Sequence, residues 1–99
     1  MDETALTKQV RVCQHQSCRH LGAAQVLEAF ELHRVDRVEV VAVHCLGQCG
    51  NGPMVLVLPE EVWYYRVSPQ EVPAVVERHL RGGNRVKGML YPKFHPPDS

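Results

Sequence analysis

Val38-Glu39-Val40-Val41-Ala42-Val43-His44-Cys45-Leu46-Gly47-Gln48-Cys49-Gly50-Asn51-Gly52-Pro53 carries two signals end to end. Its first six residues are β-branched and mostly apolar, the pattern of a strand buried on both faces. That strand runs into His44 and Cys45, and the residues after it are rich in glycine, which leaves backbone N–H groups open and permits tight turns. The same construction occurs upstream. Gln9-Val10-Arg11-Val12 alternates as a strand and ends at Cys13, where the polar loop Gln14-His15-Gln16-Ser17-Cys18 begins.

A helix is predicted between these two strands, over about residues 19–33. Ala23, Val26, Leu27 and Phe30 fall at i, i+3, i+4 and i+7 as one buried stripe, with Glu28 and Glu31 facing water. Residues 54–58 read as a third strand, Pro59-Glu60-Glu61 as a turn and residues 62–66 as a fourth strand, so the last two form an antiparallel hairpin. Ser68 is the expected N-cap of a second helix, with Pro69 at its first position and Glu71 completing a capping box. Val72, Val75, Val76 and His79 form its inner stripe, Gly82-Gly83 ends it, and Pro73 predicts a local distortion. Residues 1–8 read as loose and residues 84–99 as an extended C-terminal arm.

The order is β-α-β, hairpin, helix. A right-handed crossover plus a hairpin yields an α/β fold, a mixed four-stranded sheet flanked by two helices that cover its faces. This architecture is thioredoxin-like.

The chain has 99 residues, which predicts a single domain spanning 1–99. Eleven Lys plus Arg balance eleven Asp plus Glu, so no basic excess points to nucleic acid. The longest apolar run, residues 54–58, is far too short to span a membrane, and the N-terminus lacks the pattern of a signal peptide. The expected compartment is the cytoplasm, where clustered cysteines serve metal binding or redox chemistry more readily than disulfides.

The four cysteines are spaced C-x4-C, then twenty-six residues, then C-x3-C, and none is left over. Each pair follows a predicted strand. Loops at the carboxyl ends of neighbouring parallel strands lie side by side, so Cys13, Cys18, Cys45 and Cys49 are expected at one sheet edge. Four thiolates suit an iron–sulfur centre, whose net negative charge needs dipoles around it. Cys18, expected at the amino end of the first helix, and the N–H groups near Gly47, Gly50 and Gly52 would supply them. Zinc is the alternative occupant, since the spacings also fall in its range. Dithiol exchange is weaker, for neither pair has the C-x-x-C spacing. His15, His20 and His44 flank the cysteines and raise a mixed Cys/His centre, but four cysteines already complete the coordination, leaving the histidines as rim groups that tune the potential. Trp63, Tyr64 and Tyr65 read as alternating core and surface positions, or as an electron path or dimer surface.

Val10 to Cys18, as V-x-V-C-x4-C, and Cys45 to Pro53, as C-L-G-x-C-x-x-G-P, resemble the thioredoxin-like [2Fe–2S] ferredoxins, a family also seen as a domain in small flavin-linked subunits of complex I and of NAD-linked hydrogenases. Val62-Trp63-Tyr64 and the helix opening at Pro69 add to the likeness, which covers roughly residues 9–90. The resemblance implies that each of the four cysteines is a cluster ligand, that Gly52-Pro53 takes the place where thioredoxin folds carry a cis-proline, and that the chain pairs as a homodimer. The expected function is a one-electron carrier, exchanging electrons with a redox protein donor and acceptor at a single [2Fe–2S] cluster, not an enzyme. A structural zinc- or cluster-binding interaction or regulatory module is the alternative.

Overall fold

The computed structural model describes residues 8–14, 22–44 and 52–95. Strand β1, Lys8–Cys13, leads towards helix α1, Ala23–Leu32, and β2, Val38–Val43. Strands β3, Val55–Leu58, and β4, Val62–Tyr64, form the hairpin, and helix α2 runs through Pro69–Glu71, Val72–Ala74 and Val75–Arg81. The sheet order is β2-β1-β3-β4. β1 pairs with β2 in parallel and with β3 antiparallel, and β3 pairs antiparallel with β4.

Register fixes which residues share a face, because neighbouring side chains along a strand point oppositely. Val10 lies opposite Val40 and Val57, Val12 opposite Val55, Val57 opposite Val62, and Val55 opposite Tyr64. These residues pack in one cluster with Val26 and Phe30 of α1 and Val72, Val75 and Val76 of α2. Both helices therefore cover the same face, where the sequence reading expected them to share the two. The opposite face carries Arg11, Val41, Leu56 and Trp63 in one row. This also corrects β2. It is an edge strand, and Glu39 and Ala42 are exposed. An apolar run does not reveal on which side its neighbours lie.

Helix α2 opens as predicted: Glu71 Oε1 accepts from the Ser68 N–H at 3.0 Å and from Ser68 Oγ at 3.2 Å. Its start is a 3-10 turn at Pro69–Glu71, and after one α-helical turn it widens into π geometry over Val75–Arg81. The distortion expected from Pro73 thus extends well past that residue. Gly83 ends the helix at φ 79°, with its N–H donating to the His79 carbonyl at 2.8 Å.

β4 is shorter than predicted. Arg66 has φ 51°, off any strand geometry, and the Tyr65 N–H leaves the sheet to donate to the Met89 carbonyl. The C-terminal segment was expected to be an extended arm. Residues 84–95 instead fold back, with Val86, Met89 and Tyr91 buried, while residues 96–99 and 1–7 lie outside the described residues. Tyr91 N–H donates to Trp63 O at 2.9 Å, and Trp63 N–H donates to His95 Nε2 at 2.9 Å. The open edge of β4 is thereby closed. No described helix is long and apolar enough to cross a membrane.

Candidate metal centre

Cys13 is the last residue of β1, and it stands opposite Val43, the last residue of β2. Its side chain is 1 % exposed. Its N–H donates to the Met54 carbonyl at 3.1 Å, and its Sγ lies 4.0 Å from the His44 carbonyl oxygen. The next residue ties the same point to two more elements. Gln14 N–H donates to Val43 O at 2.7 Å, and Gln14 Nε2 donates to the carbonyl of Ala23, the first residue of α1, at 3.0 Å.

Cys18, Cys45 and Cys49, with His15 and His20, lie outside the described residues. What is described is where their segments leave and return. Residues 15–21 begin after Gln14 and end before Gly22, next to Ala23, which packs against Cys13. Residues 45–51 begin after His44 and end before Gly52, two residues ahead of Met54. Gln14, Ala23, His44 and Met54 all touch Cys13 or its neighbour, so both cysteine-bearing segments are moored around one sulfur. Among the described residues, no three His, Cys, Asp or Glu side chains gather as a metal site.

Several features fit a thiolate-held anionic group. The amino end of α1 sits beside Cys13, and the first N–H groups of a helix have no intrahelical acceptor and favour negative charge. A cysteine side chain buried among apolar groups at a strand end is held in place for ligation. Gly47 and Gly50, expected to leave N–H groups open, lie outside the described residues. For Gly52 the structure gives another reason: its φ is 74°, and a Cβ there would stand 2.8 Å from the Arg66 Cα. The cis peptide among the described residues is Leu58–Pro59, in the hairpin turn, not the Gly52–Pro53 bond that the resemblance placed there. His44 is exposed, and its carbonyl faces Cys13.

Sequence reasoning missed the wall on the other side of Cys13. Ala23, Met54 and Tyr91 are buried against it, with Trp63 and Tyr65 packed alongside. A signal was present. Tyr91-Pro92-Lys93-Phe94-His95 is too aromatic for an idle arm, and its rings contact Tyr65 and Trp63.

The sequence model of the thioredoxin-like [2Fe–2S] ferredoxins matches residues 3–80. A [2Fe–2S] ferredoxin of Aquifex aeolicus is 36% identical over 87 residues, covering 82% of this chain and 78% of the relative. One of Clostridium pasteurianum is 37% identical over 75 residues, covering 71% of this chain and 74% of the relative. The solved thioredoxin-like [2Fe–2S] ferredoxin of Aquifex aeolicus superposes with a TM-score of 0.80 at 31% identity, over 87% of this chain and 91% of that one. With its two cysteine-bearing segments moored at one end of a thioredoxin-like sheet, the chain belongs to the thioredoxin-like [2Fe–2S] ferredoxin family.

Proposed function

We propose that this chain is a one-electron carrier and not an enzyme, with Cys13, Cys18, Cys45 and Cys49 as the four thiolate ligands of a single [2Fe–2S] cluster. The observation that carries the reading is the mooring of both cysteine segments around the buried Cys13 sulfur. A bound [2Fe–2S] cluster supplies a one-electron couple. The chain supplies the rest. β1 holds one sulfur in a ladder paired on both sides, the amino end of α1 turns its dipole towards that sulfur's surroundings, and the apolar wall excludes water. Two solved forms of the Aquifex aeolicus protein carry serine for cysteine at positions four apart, which is the separation of Cys45 and Cys49.

The proposed partners are a protein electron donor and a protein acceptor, meeting the chain at the end of the sheet where Cys13 lies. A second copy of the chain against the helix-free face is also proposed. That face offers the half-buried Val41 and Trp63 beside Arg11, and sedimentation equilibrium at twice the monomer mass is the expected result. The proposed compartment is the cytoplasm.

The test is spectroscopic. Freshly purified protein should be red-brown, bleach with dithionite and develop an electron-spin signal on reduction. Cys45→Ala should lose or degrade that spectrum. A colourless protein with one bound zinc would reject the carrier reading in favour of a structural module, and an unchanged spectrum from Cys45→Ala would remove Cys45 from the ligand set.

A further inference from the structure

We propose that Tyr91, on the segment that closes the β4 edge, is the shield of the metal centre: its ring keeps water from the Cys13 sulfur and so governs iron loss and ease of reduction. This rests on Cys13 being a ligand, as proposed above.

The geometry is a two-layer aromatic wall. In the inner layer Tyr91 is 8 % exposed and packs with Cys13, Ala23 and Met54. Its position is fixed by its own backbone: the N–H donates to Trp63 O at 2.9 Å, and its carbonyl accepts from the N–H groups of Phe94 at 3.2 Å and His95 at 2.9 Å. Its ring centre lies 5.5 Å from that of Tyr65 and 5.4 Å from that of Phe94, the latter edge-on. Phe94 forms the outer layer. It is 41 % exposed and leans on Trp63 at 4.9 Å. The family match ends at residue 80, so Tyr91 and Phe94 come from sequence that match does not reach.

The chemistry follows from what water does near a metal-bound thiolate. Water and dissolved chelators reach the metal through gaps in the first layer of side chains. Solvent also stabilises the more negative, reduced state of the centre, so excluding it lowers the potential. Removing the ring reverses both effects.

The experiment compares purified, cluster-loaded Tyr91→Phe, Tyr91→Ala, Phe94→Ala and Val86→Ala with the unaltered protein. Two quantities are read: the rate at which visible absorption decays in excess EDTA, and the reduction potential by dye-mediated titration. Y91F keeps the ring and should stay closer to the unaltered protein than Y91A in both readouts. Y91A should lose iron about tenfold faster or more, the scale of lost outer-sphere support, and its potential should rise. F94A, at an exposed position that accepts truncation, should shift both readouts the same way by less, and it serves where Y91A does not fold. V86A cuts a buried side chain of the same segment within the main core, so it should lower the thermal midpoint without faster iron loss. The proposal is overturned if Y91A or F94A loses iron at the unaltered rate, or if V86A accelerates the loss as much as Y91A. If the unaltered protein is colourless, the carrier reading itself has failed, and this inference with it.

Discussion

His79 is the most informative single residue outside the metal centre. It is 1 % exposed, yet every polar atom of its ring is used. Tyr64 Oη accepts from the Val86 N–H at 3.0 Å, and because the ionised Glu60 beside Nε2 can only accept, Nδ1 of the neutral ring takes the phenol proton of Tyr64 at 2.8 Å. His79 Nε2 then carries the ring's proton and donates it to Glu60 at 3.3 Å, and Glu60 also pairs with Lys8. Burial pushes the His79 pKa below its ordinary 6.5. For Glu60 burial acts upwards, but hydrogen bonds from Lys8, from its own backbone N–H and from His79 outweigh it and hold the carboxyl below its ordinary 4.5. Both depressions have the same sign. Each group binds protons more readily in the unfolded chain, so stability is full above pH 6.5 and falls as pH drops through the lower native-state pKa values. The urea midpoint should therefore decline below about pH 6.5, the ordinary histidine value. His79→Gln should flatten the upper part of that decline and leave the carboxylate part. Tyr64→Phe leaves the buried Val86 N–H and His79 Nδ1 without this partner, and should cost about 1–3 kcal/mol in denaturant unfolding. Sequence periodicity was enough to place His79 in the core. Glu60 was read only as a turn residue, because its partners come from β1 and α2.

At the scale of elements, the two strand-to-cysteine junctions and the capping box at Ser68 were legible because each is decided by residues within one turn or one strand. The face taken by α1, the edge position of β2 and the fold-back of residues 84–95 were not. Each of these is set by a partner distant in sequence, and neither alternation nor an apolar run encodes which side that partner occupies. The Gly52 turn belongs to both groups. Its glycine was noticed as a loop residue, whereas its packing against the Arg66 backbone is visible only in the fold. Gly52→Ala forces a left-handed φ on a residue with a Cβ and presses that carbon onto Arg66. It should cost about 1–3 kcal/mol, read as a lower thermal midpoint. The strain falls where residues 45–51 rejoin the sheet, so iron content per chain should fall as well.

The whole molecule is organised along β1. Lys8, at its start, joins the Glu60 and His79 network, and Cys13, at its end, joins the metal centre. Between them Val10 and Val12 are fully buried under both helices. Of the four proposed ligands, the one described residue sits in a small cluster apart from the main core. Iron removal should therefore lower the thermal midpoint while leaving the far-ultraviolet circular dichroism of the helices and sheet largely intact, unlike a domain whose folding depends outright on its metal. Loss of that signal on chelation would show that the core depends on the centre. The parallel β1–β2 pair and the β3–β4 hairpin were readable from element order, whereas the antiparallel pairing of β1 with β3 that joins them is seen only in the fold.

Cys13 is hydrogen-bonded through its own N–H to Met54, and the next residue to Val43, at the end of a ladder built from main-chain bonds. Main-chain pairing thus sets where that sulfur stands, and at 1 % exposure it should resist alkylation until the chain unfolds.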